Sequence, residues 1–182
     1  MKKIFLFLIF FQLLNFQSLI AKDLWAEAKE GDKIILIRHA LAPGGGDPPE
    51  FKINDCKTQR NLNKVGIDQS KAIGKLFKKN KIPVDKVLSS QWCRCKDTAK
   101  YAFKNFETFN ALNSFYDERF SANEAKQIKD FKNYINNWNS DKNIVLVTHY
   151  VIILAITGET TRSGELVITD KNFKVLSTIN TF

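Results

Sequence analysis

Two short apolar runs, each ending in a histidine, constrain the fold of this chain more than any other feature. Lys33-Ile34-Ile35-Leu36-Ile37-Arg38-His39-Ala40 passes directly into Leu41-Ala42-Pro43-Gly44-Gly45-Gly46-Asp47-Pro48-Pro49. A β-branched apolar run closed by charge, then by Gly and Pro, reads as a buried strand opening into a loop. Asn143-Ile144-Val145-Leu146-Val147-Thr148-His149 repeats the pattern, and the chain has only 2 histidines. Open α/β sheets gather ligands at the carboxyl ends of their strands, which is where both imidazoles and Arg38 fall.

The segments around these runs alternate. A short helix is expected over residues 23–30, with Asp23 as N-cap and Gly31 just past its end. Asn63 caps a helix to about Asn80, with Val65, Ala72, Ile73, Leu76 and Phe77 on one side. After Pro83 comes a strand over 84–88, a turn at 89–94, a helix over 93–104 and an extended segment over 109–115. Ser121-Ala122-Asn123-Glu124 has the form of a capping box, and Ile128, Phe131, Ile135 and Trp138 form a packing face behind it. Beyond His149 follow an apolar helix over 150–157, closed by Gly158, and two strands over 165–169 and 173–179 that form a hairpin. The pattern implies an α/β domain over residues 22–182: a three-layer α/β/α arrangement with a mostly parallel central sheet and a C-terminal β-hairpin.

The N-terminus is of another kind. Met1-Lys2-Lys3, an apolar stretch over 4–11, polar Asn15, Gln17 and Ser18, and Leu19-Ile20-Ala21 form a basic region, a hydrophobic region and a small-residue cleavage site. Residues 1–21 read as a signal peptide, the alternative being an uncleaved membrane anchor, and a periplasmic or secreted protein without stable membrane insertion is expected. Without Lys2 and Lys3 the 28 basic residues become 26 against 19 acidic ones, leaving +7. The lysines are scattered, and Lys78-Lys79-Asn80-Lys81 suits a helix C-terminus, so no nucleic-acid partner is expected. In an oxidising compartment Cys56 can pair with Cys93 or Cys95, leaving one thiol free.

The strand–helix junctions carry Arg38 and His39, then Arg94, then His149. Two guanidiniums make a planar clamp for a tetrahedral dianion, and helix N-termini at the same edge add N–H groups. An imidazole between them has a depressed pKa, keeps a lone pair, and can attack phosphorus in line. The second imidazole, when protonated, stabilises charge on the equatorial oxygens.

These residues carry a resemblance. Arg38-His39-Ala40 after a hydrophobic strand resembles the Arg-His-Gly signature of the histidine phosphatase (phosphoglycerate mutase-like) superfamily. Leu62-Asn63-Lys64-Val65-Gly66-Ile67-Asp68-Gln69 is similar to its Leu-Thr-x-x-Gly-x-x-Gln helix start, and Ser89-Ser90-Gln91-Trp92-Cys93-Arg94-Cys95-Lys96-Asp97-Thr98-Ala99 to its Ser-Ser-x-x-x-Arg-x-x-x-Thr-Ala segment. Val147-Thr148-His149 matches its late strand-His motif, and all four stand in the family's order. The resemblance implies His39 as the phosphorylated nucleophile, Arg38, Arg94 and His149 as the phosphate clamp, and no cofactor or metal.

It also points to an acid in Phe115-Tyr116-Asp117-Glu118-Arg119, where Glu118 is favoured over Asp117 for its reach. Ala40 and Gln91 depart from the usual Gly and Pro, and the insertion over 44–49 stands at the pocket entrance, where Arg60 or Lys57 can meet a substrate anion. The reading is an exported, metal-independent phosphomonoesterase, its substrate a phosphorylated small molecule, an envelope phosphate or a phosphoprotein. A phosphate-binding module on the same fold and a phosphoglycerate mutase are the alternatives. A two-histidine metal site ranks last, since the loop after His39 offers it only Asp47.

Overall fold

The computed structural model describes residues 23–181. The expected signal peptide lies outside the described residues. Strand β1 (Ile34–Arg38) sits inside the sheet, parallel to β4 (Asn143–Thr148) and antiparallel to β5 (Leu166–Thr169). Strand β2 (Val84–Ser89) runs parallel to β4, short β3 (Glu107–Thr108) parallel to β2, and β6 (Val175–Ile179) antiparallel to β5. The order β3-β2-β4-β1-β5-β6 is thus four parallel strands extended by the C-terminal hairpin.

The strands are apolar on both faces because both are covered. Ile35 and Ile37 of β1 share a core with Val145, Val147, Ile73, Phe77 and Ala99. That face carries α1 (Ala26–Glu30), α2 (Lys64–Lys79) and α3 (Cys93–Phe103). Ile34 and Leu36 point the other way, into a core with Phe131, Ile135 and Ile153 under α5 (Glu124–Asn137) and α6 (Tyr150–Thr157). Burying each such side chain contributes about 1.5–3 kcal/mol, so the alternation along β1 secures both layers at once.

Helix α2 shows why its first turn carries a glycine. A Cβ on Gly66 would lie 2.1 Å from the Leu41 carbonyl oxygen, so only glycine lets the helix touch the loop after His39. One turn on, Gln69 accepts the Leu41 N–H at 3.0 Å and donates to the Ser163 carbonyl at 2.7 Å, bracing two loops at the carboxyl edge. The same close approach turns Val65 outward: it is 48% exposed, and the buried stripe is instead Gly66, Gln69, Ser70, Ile73, Gly74 and Phe77.

Three other local expectations are corrected. Asp23 does not cap a helix beginning beside it; its Oδ1 accepts the Trp25 N–H at 2.9 Å in a turn, and α1 starts at Ala26. Ser121 forms no capping box. It ends a short helix, α4 (Glu118–Ser121), and its hydroxyl donates to the Glu118 carbonyl at 3.0 Å. Ala122 and Asn123 stay in the right-handed helical region, so no extended residue is left for a box to use. The segment over 109–115 contains a 3-10 turn, Asn110–Leu112, rather than continuous extended chain.

Candidate active site

The register of the parallel strands brings the site together. Arg38 stands opposite Thr148 and Ser89 opposite Val147, so β1 and β4 end level with β2 one residue short, and the next residues, His39, Ser90 and His149, share one edge. The rings of His39 and His149 lie 5.5 Å apart, each residue 3% exposed. Arg94, also 3% exposed, enters from the first turn of α3. Thr98, one turn later, accepts the Ala40 N–H at 3.0 Å and donates to the Arg94 carbonyl at 2.7 Å. The spacing Arg-x-x-x-Thr therefore ties the α3 turn bearing Arg94 to the residue after His39.

The hydrogen bonds fix the state of both imidazoles. His39 Nδ1 lies 2.8 Å from the Ala40 carbonyl, which can only accept, so Nδ1 carries the proton and Nε2 keeps its lone pair. His149 Nε2 lies 3.0 Å from Ser90 Oγ, whose own proton goes to Asn113 Oδ1 at 3.1 Å. Nε2 is thus the donor, leaving Nδ1 for a ligand. Burial first, and then the Arg94 charge, hold both histidines well below the ordinary imidazole range. Cys95 Sγ sits 3.4 Å from His149 Nε2, and burial pushes its thiol up to about 12, so it stays protonated and unreactive.

Arg38 donates through Nη1 to the Thr161 carbonyl at 2.5 Å, and its guanidinium lies 5.3 Å from the Tyr150 ring centre. Its Nε, like that of Arg94, is buried with no partner. A buried, unpaired N–H on a cation is costly unless a ligand meets it, and here two such groups sit at one edge.

The cleft beside these groups, about 140 Å³, is lined by Arg38, Arg60, Arg94 and His149, by the glycines of the loop, and by Tyr116 and Tyr150. His39 adjoins two of these residues, Arg38 along the chain and His149 across the sheet edge. Asp117 also lines the cleft, whereas Glu118 is exposed and does not. The structure thus departs from the expected preference: the α4 N-cap, Asp117, reaches the cleft, and the next residue has already entered the helix. Asp117 is itself paired with Arg119 at 2.7 Å, which lowers its carboxyl to about 2. Lys57 is exposed and does not line the cleft. Arg60 does, but it is engaged with the loop: Nε donates to the Gly46 carbonyl at 2.8 Å and Nη1 to that of Ala42.

Asp47, which the sequence offers only as a spare carboxylate, is held at the centre. It forms an ion pair with Arg94 at 2.8 Å while its side chain is 10% exposed. Its commitment to a guanidinium removes it from the two-histidine metal arrangement. The cysteine pair is resolved too: Cys56 bonds Cys93, and Cys95 is free and buried. Sequence reasoning misses Ser90, Asn113 and Thr98 as functional residues. Ser90 and Thr98 stand inside the Ser-Ser-x-x-x-Arg-x-x-x-Thr-Ala pattern, which is the signal that marks them. Asn113 carries no such mark.

A sequence model of the histidine phosphatase superfamily, branch 1, matches residues 34–121, from β1 through α4. That match covers just under half of the chain, and the fold is shared with solved structures of phosphatases and of a phosphoglycerate mutase. The protein histidine phosphatase SixA, in complex with tungstate, superposes with a TM-score of 0.58 at 15% identity, covering 82% of this chain and 97% of that one. Phosphoglycerate mutase from Thermus thermophilus gives 0.55 at 17% identity, covering 81% and 98%. A mutant phosphoserine phosphatase from Entamoeba histolytica, in complex with phosphoserine, gives 0.53 at 18%, covering 82% and 97%. At these identities the likeness is one of fold. No curated protein matches the chain.

Proposed function

We propose that the protein is an exported phosphomonoesterase that works through a phosphohistidine on His39. The observation that carries this reading is the tautomer of His39: Nδ1–H is tied to the Ala40 carbonyl, and the free Nε2 lone pair stands at the edge where two guanidiniums keep buried, unpaired Nε–H groups. In the first step Nε2 attacks phosphorus, the P–N bond forms, and the P–O bond breaks with its electron pair leaving on the alcohol oxygen, which takes its proton from water. Arg38 and Arg94 hold the equatorial oxygens, and His149 meets the developing charge once the dianion draws a proton onto its Nδ1. In the second step water attacks phosphorus, the P–N bond breaks, and inorganic phosphate leaves with His39 neutral again.

Two carboxylates line the cleft; Asp47 is taken up by Arg94, and Asp117 is kept ionised by its pairing with Arg119. An ionised carboxylate orients the hydrolytic water but is a poor proton donor. Esters whose alcohol leaves without help, aryl phosphates among them, are therefore turned over fastest. Export is supported by the basic and apolar character of residues 1–21 and by the Cys56–Cys93 disulfide, a bond that persists in oxidising compartments.

The test is hydrolysis of p-nitrophenyl phosphate in EDTA by the chain from Lys22 onward and by its His39→Ala variant. Turnover that disappears in the variant is the expected result. A folded protein inactive on a broad panel of phosphomonoesters would leave phosphate binding without catalysis as the function.

A further inference from the structure

The loop after β1 brings Asp47 against Arg94 in a way that phosphate binding alone does not require. All four acceptor positions of the carboxylate are filled. Oδ1 takes the Arg60 N–H at 3.0 Å and Arg94 Nη1 at 2.8 Å; Oδ2 takes Trp92 Nε1 at 3.0 Å and Arg94 Nη2 at 3.1 Å. A mobile plug occupying the phosphate's place would not be satisfied by a backbone amide and an indole as well.

The pairing also decides which face of Arg94 remains. A guanidinium has five N–H donors. Nη1 uses its two on Asp47 and, at 3.4 Å, on the Arg60 carbonyl, and Nη2 uses one on Asp47. Nε–H and the second Nη2 proton are left, and these lie side by side on one edge of the planar group. Nε is buried and unpaired. Asp47 closes the end of the fork, and the Nε–H on its side has no protein partner.

We infer that Asp47 is a positioning residue for oxyanion binding: it grips the end of the Arg94 guanidinium so that the Nε/Nη2 edge meets a tetrahedral dianion bidentately. The ligand class rests on the phosphatase reading above. Asp47 lines the same cleft, but its acceptor positions are all taken, so it acts through Arg94. Its loop is held in turn by Arg60, which bonds the carbonyls of Ala42 and Gly46, and by the Cys56–Cys93 disulfide, whose second half-cystine precedes Arg94. Rigid support for a bidentate fork is what confers geometric selectivity on it.

Calorimetric titration of tungstate into the disulfide-intact protein, continued to high millimolar, tests this without relying on turnover. Wild type should bind. Asp47→Asn, which weakens the grip, and Asp47→Glu, which displaces it by a methylene, should each bind at least tenfold more weakly with unchanged circular dichroism. In an Arg94→Ala background, adding Asp47→Asn should change affinity less than twofold, a result that a general loosening of the loop would not give. Equal or tighter binding by the Asp47 variants, losses that multiply in the double variant, or no binding by wild type would each overturn the inference. If Asp47→Asn does not fold, Asp47→Glu decides. Hydrolysis of p-nitrophenyl phosphate by wild type is scored separately: binding that depends on Asp47 without turnover keeps this inference and removes the phosphatase reading.

Discussion

The Thr98 hydroxyl accepts the Ala40 N–H at 3.0 Å while donating to the Arg94 carbonyl at 2.7 Å, so one fully buried side chain joins the strand end that bears His39 to the helix that bears Arg94. Thr98→Val keeps the shape and strands the Ala40 N–H. Leaving a buried donor unsatisfied costs about 1–3 kcal/mol. We expect that loss in a denaturant titration, together with a fall in kcat larger than that of a surface control of equal stability.

Reduction of Cys56–Cys93 should act on both stability and the site. The bond joins residues 37 apart, for which the chain-entropy relation gives about 3–4 kcal/mol. Thermal denaturation with and without dithiothreitol should show the difference, and oxyanion affinity should fall with it, because the loop it ties down carries Asp47. An unchanged melting temperature would mean that the loop is held without the bond.

The histidines set a pH dependence whose sign is determined. Both are held neutral in the folded protein, their pKa values well below 6.5, whereas in the unfolded chain they titrate normally. Between those values the unfolded state binds more protons. Stability is therefore full above about pH 6.5 and declines as the pH falls, by up to about 1.4 kcal/mol per pH unit for each histidine. Urea titrations from pH 8 to pH 5 measure the slope. The His39 lone pair should likewise persist in mildly acidic solution, so kcat should not follow an ordinary imidazole titration.

The two neighbouring carboxylates should separate cleanly. Glu118 is exposed and does not line the cleft, so Glu118→Gln should leave kcat on phenyl phosphate within about twofold, the range expected of a surface change. Asp117→Asn should slow turnover by tenfold or more, toward the contribution of about 10²–10⁴ typical of a positioned acid–base group. The reverse order would restore Glu118 to the role its longer side chain suggests.

Why some of the fold and site is legible in the sequence and some is not has physical reasons. Arg38, His39, Arg94 and His149 can be read because each lies at a fixed offset from a strand end or helix start, and parallel strands bring such ends to one edge. Gly66 and Gln69 are visible as a motif, but their purpose, close approach to Leu41 and support of its N–H, depends on a contact between elements. Cys93 and Cys95 are two residues apart on one helix. Which of them meets Cys56 is set by the phase of α3 on the sheet, which turns Cys95 toward His149. Asp47 and Arg94 are 47 positions apart and meet through an irregular loop for which no periodicity exists. The Asp117–Glu118 choice turns on where a four-residue helix begins, and side-chain length carries no information about that.

The proposed reaction requires that His39 become phosphorylated. Rapid quenching in base of the enzyme with excess p-nitrophenyl phosphate, followed by peptide mass spectrometry, examines it directly. An acid-labile, base-stable phosphate is expected on the peptide containing His39, absent from His39→Ala and accumulating in Asp117→Asn. Sustained turnover with no phosphate on His39 at any quench time, or turnover retained by His39→Ala, would contradict it.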